Sequence, residues 1–179
     1  RQRQMCIRDS ANMRLIPNIE VLQPGSDKEV DILVRSQYDN GNTTYFRLSD
    51  FPHNIDIDVK FGKGVDIFDK NSKITVITSG PILQNVYDAV VDLNVNLIYF
   101  HTIKPIDIDL IKKYRDTKMF VFQDVTGLYE AVCDIQNLNV KKFGVSDDFY
   151  TDYGSVHDAR KHYGLDTKSV NKIIRDELE

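Results

Sequence analysis

Short apolar runs alternate with helical apolar patterns along residues 73–179, and this alternation constrains the fold more than any other feature of the sequence. Four of the runs predict strands, at residues 74–77, 97–100, 119–122 and 140–145. Between them, apolar side chains recur at the spacing of one helix face, most clearly over residues 82–93. Strands separated by helices in this way are typical of a mostly parallel sheet. The sequence therefore predicts an α/β fold of three layers, in which helices cover both faces of the sheet.

The preceding residues divide into three further segments. Residues 12–58 show the order strand, helix, strand and predict the tail of a second α/β domain. Residues 59–72 read as a linker, and the alternation at 55–58 indicates a hairpin-like pair with 65–68. Residues 5–10 read like the translation of a sequencing adapter, so residues 1–11 are predicted to be non-native. The main domain is then predicted to span residues 73–179.

Composition excludes several classes of protein. The formal net charge is −4, and acidic and basic residues are interleaved, which leaves no basic patch for nucleic acid. No apolar run approaches the roughly 18 residues needed to cross a bilayer. Cys6 and Cys133 lie far apart in the sequence, which argues against a disulfide framework or a metal site, and Cys133 is predicted to pack in the core. These features predict a cytoplasmic protein without membrane or nucleic-acid partners.

The most recognisable motif follows the second strand of the main domain. Residues 101–107 read His-Thr-Ile-Lys-Pro-Ile-Asp, which resembles the "T-I-K-P-L-D" turn in the C-terminal domain of the transketolase family. Residues 14–24 with Glu29 resemble that family's "R-x-I-P-N" and "P-x-D-x-x-E" elements, and residues 44–49 resemble the strand that follows them. Residues 143–166, with Asp148, Phe149 and Tyr153, resemble the family's C-terminal tail. Together these motifs cover residues 12–179 in the family's order.

The resemblance implies both a function and its limits. It implies that residues 12–58 end a pyrimidine-binding domain and that residues 73–179 form a transketolase-like C-terminal domain. The full enzyme would use thiamine diphosphate and magnesium to transfer a two-carbon ketol unit between sugars or sugar phosphates. It would act as a homodimer or with a partner subunit that carries the diphosphate-binding domain. The family's cofactor-binding elements precede the matched region, so the resemblance implies no catalytic, cofactor or metal residue here and an inert isolated chain.

Four residues are candidates for substrate binding. Many members of the family place a phosphate-binding arginine directly after the "L-S" of the closing strand, where this sequence has Asp50. Arg47 or His53 could replace that arginine, or the substrate could lack the phosphate. His101 follows a strand at its carboxyl end, where open α/β sheets bind ligands. The alternative is that His53 and Asp50 are ordinary polar loop residues and that His101 is hydrogen-bonded to the strand corner.

Three other functions remain open at this point. The chain could belong to an enzyme similar to deoxyxylulose-phosphate synthase, or to the beta subunit of a 2-oxo-acid dehydrogenase. It could also be a non-catalytic assembly or regulatory module. The upstream gene sequence would separate an enzyme from a module, because only an enzyme needs the cofactor-binding motifs.

Overall fold

The computed structural model describes residues 7–146 and 154–178. Eight strands are present in this part of the chain: β1 (Ile19–Leu22), β2 (Thr43–Phe46), β3 (Val65–Phe68), β4 (Ile74–Ser79), β5 (Asn96–Phe100), β6 (Thr102–Lys104), β7 (Lys118–Gln123) and β8 (Asn139–Gly144). The helices are α1 (Asp9–Arg14), α2 (Asp27–Gln37), α3 (Leu83–Val90), α4 (Ile108–Lys113), α5 (Leu128–Cys133), α6 (Val156–His162) and α7 (Thr167–Leu178). A 3-10 turn, Gly80–Ile82, leads into α3. Cys6, Asp148, Phe149 and Tyr153 lie outside the described residues.

The larger sheet has five strands in the order β3-β5-β4-β7-β8. All of its pairings are parallel except the one between β3 and β5. Side chains alternate between its faces, so Val76 packs with α3 and α7 while Ile77 packs with α4 and α5. The predicted three-layer α/β fold is confirmed.

The smaller sheet has the order β2-β1-β6 and connects the two predicted units. β1 and β2 run parallel and enclose α2 in sequence, which matches the predicted strand, helix, strand order. β6 comes from the main domain, two residues after β5, and pairs antiparallel with β1. Residues 102–104 therefore complete a sheet that belongs otherwise to residues 12–58. The domain division at 59–72 stays a prediction.

The predicted hairpin-like pair between residues 55–58 and 65–68 is wrong. Residues 55–58 form no strand, and β3 pairs instead with β5. The alternation at 55–58 has a different cause, because Ile57 is buried while Asp56 and Asp58 both accept from Lys28 Nζ, at 2.7 and 2.9 Å. An extended segment held by α2 has the same alternation as a paired strand.

Two smaller features concern the ends of helices. Cys133 is exposed, contrary to the predicted core position, because α5 ends there and its buried stripe consists of Leu128, Ala131 and Val132. Ser10 in α1 is fully buried and accepts a hydrogen bond from Gln23 Nε2 at 2.6 Å. The non-native origin of residues 1–11 stays a prediction. In the described part of the chain, no helix has the length and apolar character needed to span a membrane.

Candidate functional site

The motif at residues 101–107 joins the two sheets. Lys104 Nζ donates to the carbonyl oxygens of Arg14 and Ile16, at 2.9 and 2.7 Å, where α1 ends. A cation is favourable there because the last carbonyls of a helix lack partners and carry partial negative charge. Asp107 caps α4 and also accepts from the Gly64 amide at 3.2 Å, which fixes the end of the linker. The residues that carry the family resemblance thus dock one unit on the other.

A second connection between the units is buried and polar. Glu29 of α2, His53 and Tyr99 of β5 form what we call the Glu29 cluster. Tyr99 Oη donates to Glu29 Oε2 at 2.7 Å, and His53 Nε2 lies 2.7 Å from Glu29 Oε1. The rings of His53 and Tyr99 meet edge to face, with centroids 5.7 Å apart. The side chains of Glu29 and His53 are fully buried, so this contact excludes water.

The hydrogen bonds of the Glu29 cluster determine its protonation. Burial opposes ionisation of Glu29, but hydrogen bonds from His53, the Gly25 amide and Tyr99 together hold its pKa below the ordinary value. His53 Nδ1 accepts from the Ile55 amide at 3.3 Å, so the hydrogen-bond pattern assigns the ring proton to Nε2, which faces Glu29. Burial and the adjacent Glu29 carboxylate raise the pKa of Tyr99 well above its usual range. Glu29 is therefore a buried carboxylate in contact with the Tyr99 hydroxyl, the Gly25 amide and the His53 ring.

A cavity of about 290 Å³ lies beside the Glu29 cluster, and we call it the Asp50 cleft. One wall consists of residues 24–27 with Val30, and the other of residues 48–50 with Pro52. The polar groups on these walls are hydroxyls and carboxylates, from Ser26, Asp27, Ser49 and Asp50. None of the described residues that line the cleft is a lysine or an arginine. Such a surface suits hydroxyl groups of a ligand better than a phosphate.

The predicted substrate residues are only partly brought together. Asp50 is exposed and lines the cleft, whereas His53 lies behind it in the Glu29 cluster. Arg47 extends β2, since its amide donates to the Leu22 carbonyl at 2.8 Å, and its guanidinium donates to the Leu48 carbonyl. Arg47 is not among the residues that line the cleft. Substrate roles for these residues stay predictions.

His101 occupies the corner between β5 and β6. It is fully buried, and its Nδ1 lies 3.0 Å from Thr102 Oγ1. Thr102 Oγ1 also accepts from the Gly62 amide at 3.2 Å, so the same hydroxyl connects the corner to the linker. Burial lowers the pKa of His101 to about 4, so the imidazole is neutral at pH 7. This geometry fits the corner-bonded alternative, and a ligand role for His101 stays a prediction.

Sequence reasoning missed the long-range part of the Glu29 cluster. Ser26 accepts from the Glu29 amide at 3.4 Å, and Glu29 reaches back to the Gly25 amide at 2.9 Å. The Ser-x-x-Glu spacing before an apolar run is the signal of a capping box and could have indicated this local role. No comparable signal links Glu29 with Tyr99, which lies 70 residues further along the chain.

The chain is an α/β protein in which β6 and the Glu29 cluster join two sheets, and its polar cleft is lined by residues 24–27, Val30, 48–50 and Pro52. Its curated relatives are transketolase sections and a related synthase. The chain is 29% identical over 194 aligned positions to a putative transketolase C-terminal section of Methanocaldococcus jannaschii, covering 98% of this chain and 60% of that protein. It is 25% identical to one of the subunits of the apulose-4-phosphate transketolase of Actinobacillus succinogenes, over 92% of this chain and 58% of that protein. It is 24% identical to the 1-deoxy-D-xylulose-5-phosphate synthase of Haemophilus influenzae, over 93% of this chain and 29% of that protein.

Solved structures show the same fold. A split-gene transketolase, described as an inactive beta4 tetramer, matches with a TM-score of 0.81 at 22% identity and covers 95% of this chain and 61% of that chain. The transketolase of Campylobacter jejuni matches with a TM-score of 0.66 at 15% identity, over 93% of this chain and 27% of that chain. No protein-family profile matches the sequence. The chain is thus similar in sequence and in fold to C-terminal sections of the transketolase family. It spans about 60% of the length of the first two curated relatives.

Proposed function

We propose that this chain forms the C-terminal part of a transketolase-like, thiamine-diphosphate-dependent enzyme of cytoplasmic carbohydrate metabolism. The enzyme would transfer a two-carbon ketol unit between sugars. The observation that carries the proposal is the extent of the match, because the transketolase sections align with 92–98% of the chain and so include both sheets. If only the larger α/β sheet matched the relatives, the match would support a shared fold but would not support a shared activity.

The cofactor is assigned to the full enzyme and not to the residues described here. Thiamine diphosphate supplies the carbanion chemistry of such enzymes, and magnesium neutralises its diphosphate. Among residues 7–146 and 154–178, no three His, Cys, Asp or Glu side chains are grouped so that they could hold a metal ion. Asp27 and Asp50 face the Asp50 cleft without a lining cation, which is unfavourable for a diphosphate. These residues do not fit the cofactor, so we assign its binding to another section or subunit.

The part of the reaction that this chain would serve is substrate recognition. The carboxylates of Asp27 and Asp50 and the hydroxyls of Ser26 and Ser49 can accept hydrogen bonds from sugar hydroxyls. Two like charges about 4 Å apart repel by about 1 to 4 kcal/mol, depending on exposure. A phosphate at this end of a sugar would meet that repulsion. We therefore assign the cleft to the unphosphorylated part of a sugar.

The assembly is proposed from the relatives. One curated relative is named as a subunit, and the split-gene neighbour is described as an inactive tetramer of its beta chain. We propose that this chain acts in a homodimer or with a partner subunit that supplies the diphosphate-binding domain.

The decisive experiment is reconstitution. The chain would be purified alone and together with the polypeptide encoded immediately upstream, and each preparation would be assayed with magnesium, thiamine diphosphate and ketose donors. We expect ketol transfer only from the combined preparation. Calorimetry should show that the chain alone binds thiamine diphosphate no better than a non-specific anion. Micromolar binding by the chain alone would contradict the assignment of the cofactor site to another section.

The synthase relatives favour one alternative within the same cofactor class. The match to deoxyxylulose-phosphate synthase covers 93% of the chain at 24% identity. That reaction would consume pyruvate with release of carbon dioxide, whereas ketol transfer releases none. Carbon dioxide production from pyruvate by the reconstituted enzyme, without ketose cleavage, would replace the first proposal with the second.

A further inference from the structure

We propose that Tyr99, a residue of the larger sheet, positions the walls of the Asp50 cleft through Glu29. The ring does not line the cleft, so Tyr99 is a positioning residue and makes no contact with the substrate. The positioning role rests on geometry alone, and only its consequence for substrate affinity rests on the proposed function.

Gly25 connects the two walls of the cleft. Its amide donates to Glu29 Oε2 at 2.9 Å, which holds the first wall to the Glu29 cluster. Its carbonyl accepts from the His53 amide at 2.8 Å, directly after Pro52 of the second wall. The His53 ring then returns to Glu29 through Nε2, at 2.7 Å. Both walls are therefore bound to the same carboxylate, one through Gly25 and the other through His53.

Gly25 packs closely against His53 and Tyr99. A Cβ added to Gly25 would lie 2.5 Å from His53 Cδ2 and 2.7 Å from Tyr99 Oη, which is closer than real Cβ atoms approach. The backbone of the first wall thus lies directly against the imidazole and the phenol. A displacement of the Tyr99 hydroxyl would move Gly25, and with it the edge of the cleft.

Tyr99 is the fixed member of this arrangement. It lies in β5, opposite Val65 of β3 on one side and Thr78 of β4 on the other. Its side chain is fully buried, and its hydroxyl donates to the same Glu29 oxygen that accepts from Gly25. A strand with a partner on each side, such as β5, is among the most rigid parts of a fold, whereas loops such as 48–52 are among the least. The larger sheet therefore fixes the Tyr99 hydroxyl, and this hydroxyl positions the two loop walls through Glu29.

Tyr99→Phe tests the role, because it removes only the hydroxyl. The matched control is Tyr114→Phe, since Tyr114 is also buried and its hydroxyl donates to a carboxylate, Asp66, at 2.7 Å. Tyr114 belongs to the opposite core face and touches neither Gly25 nor the cleft. The measurement is amide hydrogen exchange of the full chain by NMR, at Gly25 and His53, relative to the Val121 amide in β7. This ratio separates local opening from a general loss of stability.

We expect Tyr99→Phe to accelerate exchange at Gly25 and His53 by about tenfold relative to Val121, the effect of losing one hydrogen bond to a charged group. Tyr114→Phe should leave both ratios at the wild-type values. Should Tyr99→Phe fail to fold, Glu29→Gln keeps the side-chain volume and should accelerate the same two amides. Wild-type ratios in a folded Tyr99 or Glu29 variant, or equal acceleration by Tyr114→Phe, would overturn the inference.

A kinetic comparison of the reconstituted enzyme separates this inference from the proposed function. If the Asp50 cleft binds the sugar, Tyr99→Phe should raise KM more than it lowers kcat, and Tyr114→Phe should change neither. Local acceleration of exchange with an unchanged KM would support the positioning role and refute the assignment of the cleft to substrate. Unchanged exchange would refute the positioning role, whatever the kinetics show.

Discussion

Replacing Glu29 with glutamine should destabilise the chain substantially at neutral pH. The carboxylate is completely buried, accepts from Tyr99 Oη at 2.7 Å and from the Gly25 amide at 2.9 Å, and lies 2.7 Å from His53 Nε2. Glutamine offers one acceptor atom, and its amide must face one of the three donors. Hydrogen bonds to a charged group contribute about 1.5 to 3 kcal/mol each and neutral ones about 1, so we expect a loss of about 2 to 4 kcal/mol. With a urea m-value of about 2 kcal/mol/M, the unfolding midpoint should fall by about 1 to 2 M.

The pH dependence of this loss of stability should identify the Glu29 carboxylate as its cause. The pKa of Glu29 in the folded chain lies below its ordinary value of 4.5, so the stability it contributes is present above that pH. This contribution is lost as the pH falls through the folded pKa. The difference between wild type and Glu29→Gln should therefore be largest near pH 7 and shrink below about pH 4. Asp31→Asn is the control, because Asp31 is an exposed carboxylate on the same helix, paired with Arg35, and should have little effect. A Glu29→Gln chain as stable as Asp31→Asn at pH 7, or a difference that grows in acid, would refute the reasoning.

Four further outcomes follow from the structure. The contribution of His101 to the unfolding free energy, about 3 kcal/mol, should be lost between pH 6.5 and 4, because the buried imidazole resists protonation until about pH 4; urea titrations of His101→Asn should lack this contribution. Lys104→Met should cost about 1 to 2 kcal/mol by calorimetry, since two carbonyls at the end of α1 lose their cation; an unchanged melting temperature would contradict this. Residues 73–179 alone should melt cooperatively but at a lower temperature, because β5 loses its partner β3 and β6 loses its partner β1; a transition without a sigmoidal shape would count against the domain boundary. In the reconstituted enzyme, Asp50→Arg should lower KM for a phosphorylated donor and leave an unphosphorylated one unchanged, whereas equal effects would show that Asp50 does not face the substrate.

The fold of the main domain could be predicted from local pattern because its strands are buried on both faces. Residues 74–77, 97–100 and 119–122 are apolar with little interruption, and a parallel sheet between two helix layers requires that. The pairing of β3 could not be predicted in the same way. A short strand with half-buried residues at alternate positions fits either a hairpin or the edge of a larger sheet, and the choice depends on Tyr99 and its neighbours in β5, about 30 positions away.

The same distinction applies to the candidate site: a local motif predicts one of its residues, whereas contacts between distant residues determine the rest. Asp50 could be singled out because it stands at a motif position that is normally basic. The burial of His53 could not, since a histidine between a proline and an asparagine reads as an exposed loop residue. What buries it is Glu29, 24 positions earlier, and Tyr99, 46 positions later. Buried polar residues that form hydrogen bonds with partners far away in the sequence produce no periodic pattern from which the contact could be predicted.

The strand β6 has a consequence for any attempt to recombine this chain with a relative. A chimaera that joins residues 12–58 of one protein to the main domain of another would acquire a foreign third strand in its smaller sheet. The incoming strand would have to reproduce the register of Val21 with Lys104 and of Leu22 with Thr102. The incoming lysine would also have to reach the end of a helix it did not evolve with. Crossover points that keep α1, β1 and β6 from the same parent should give folded hybrids, and those that separate them should not.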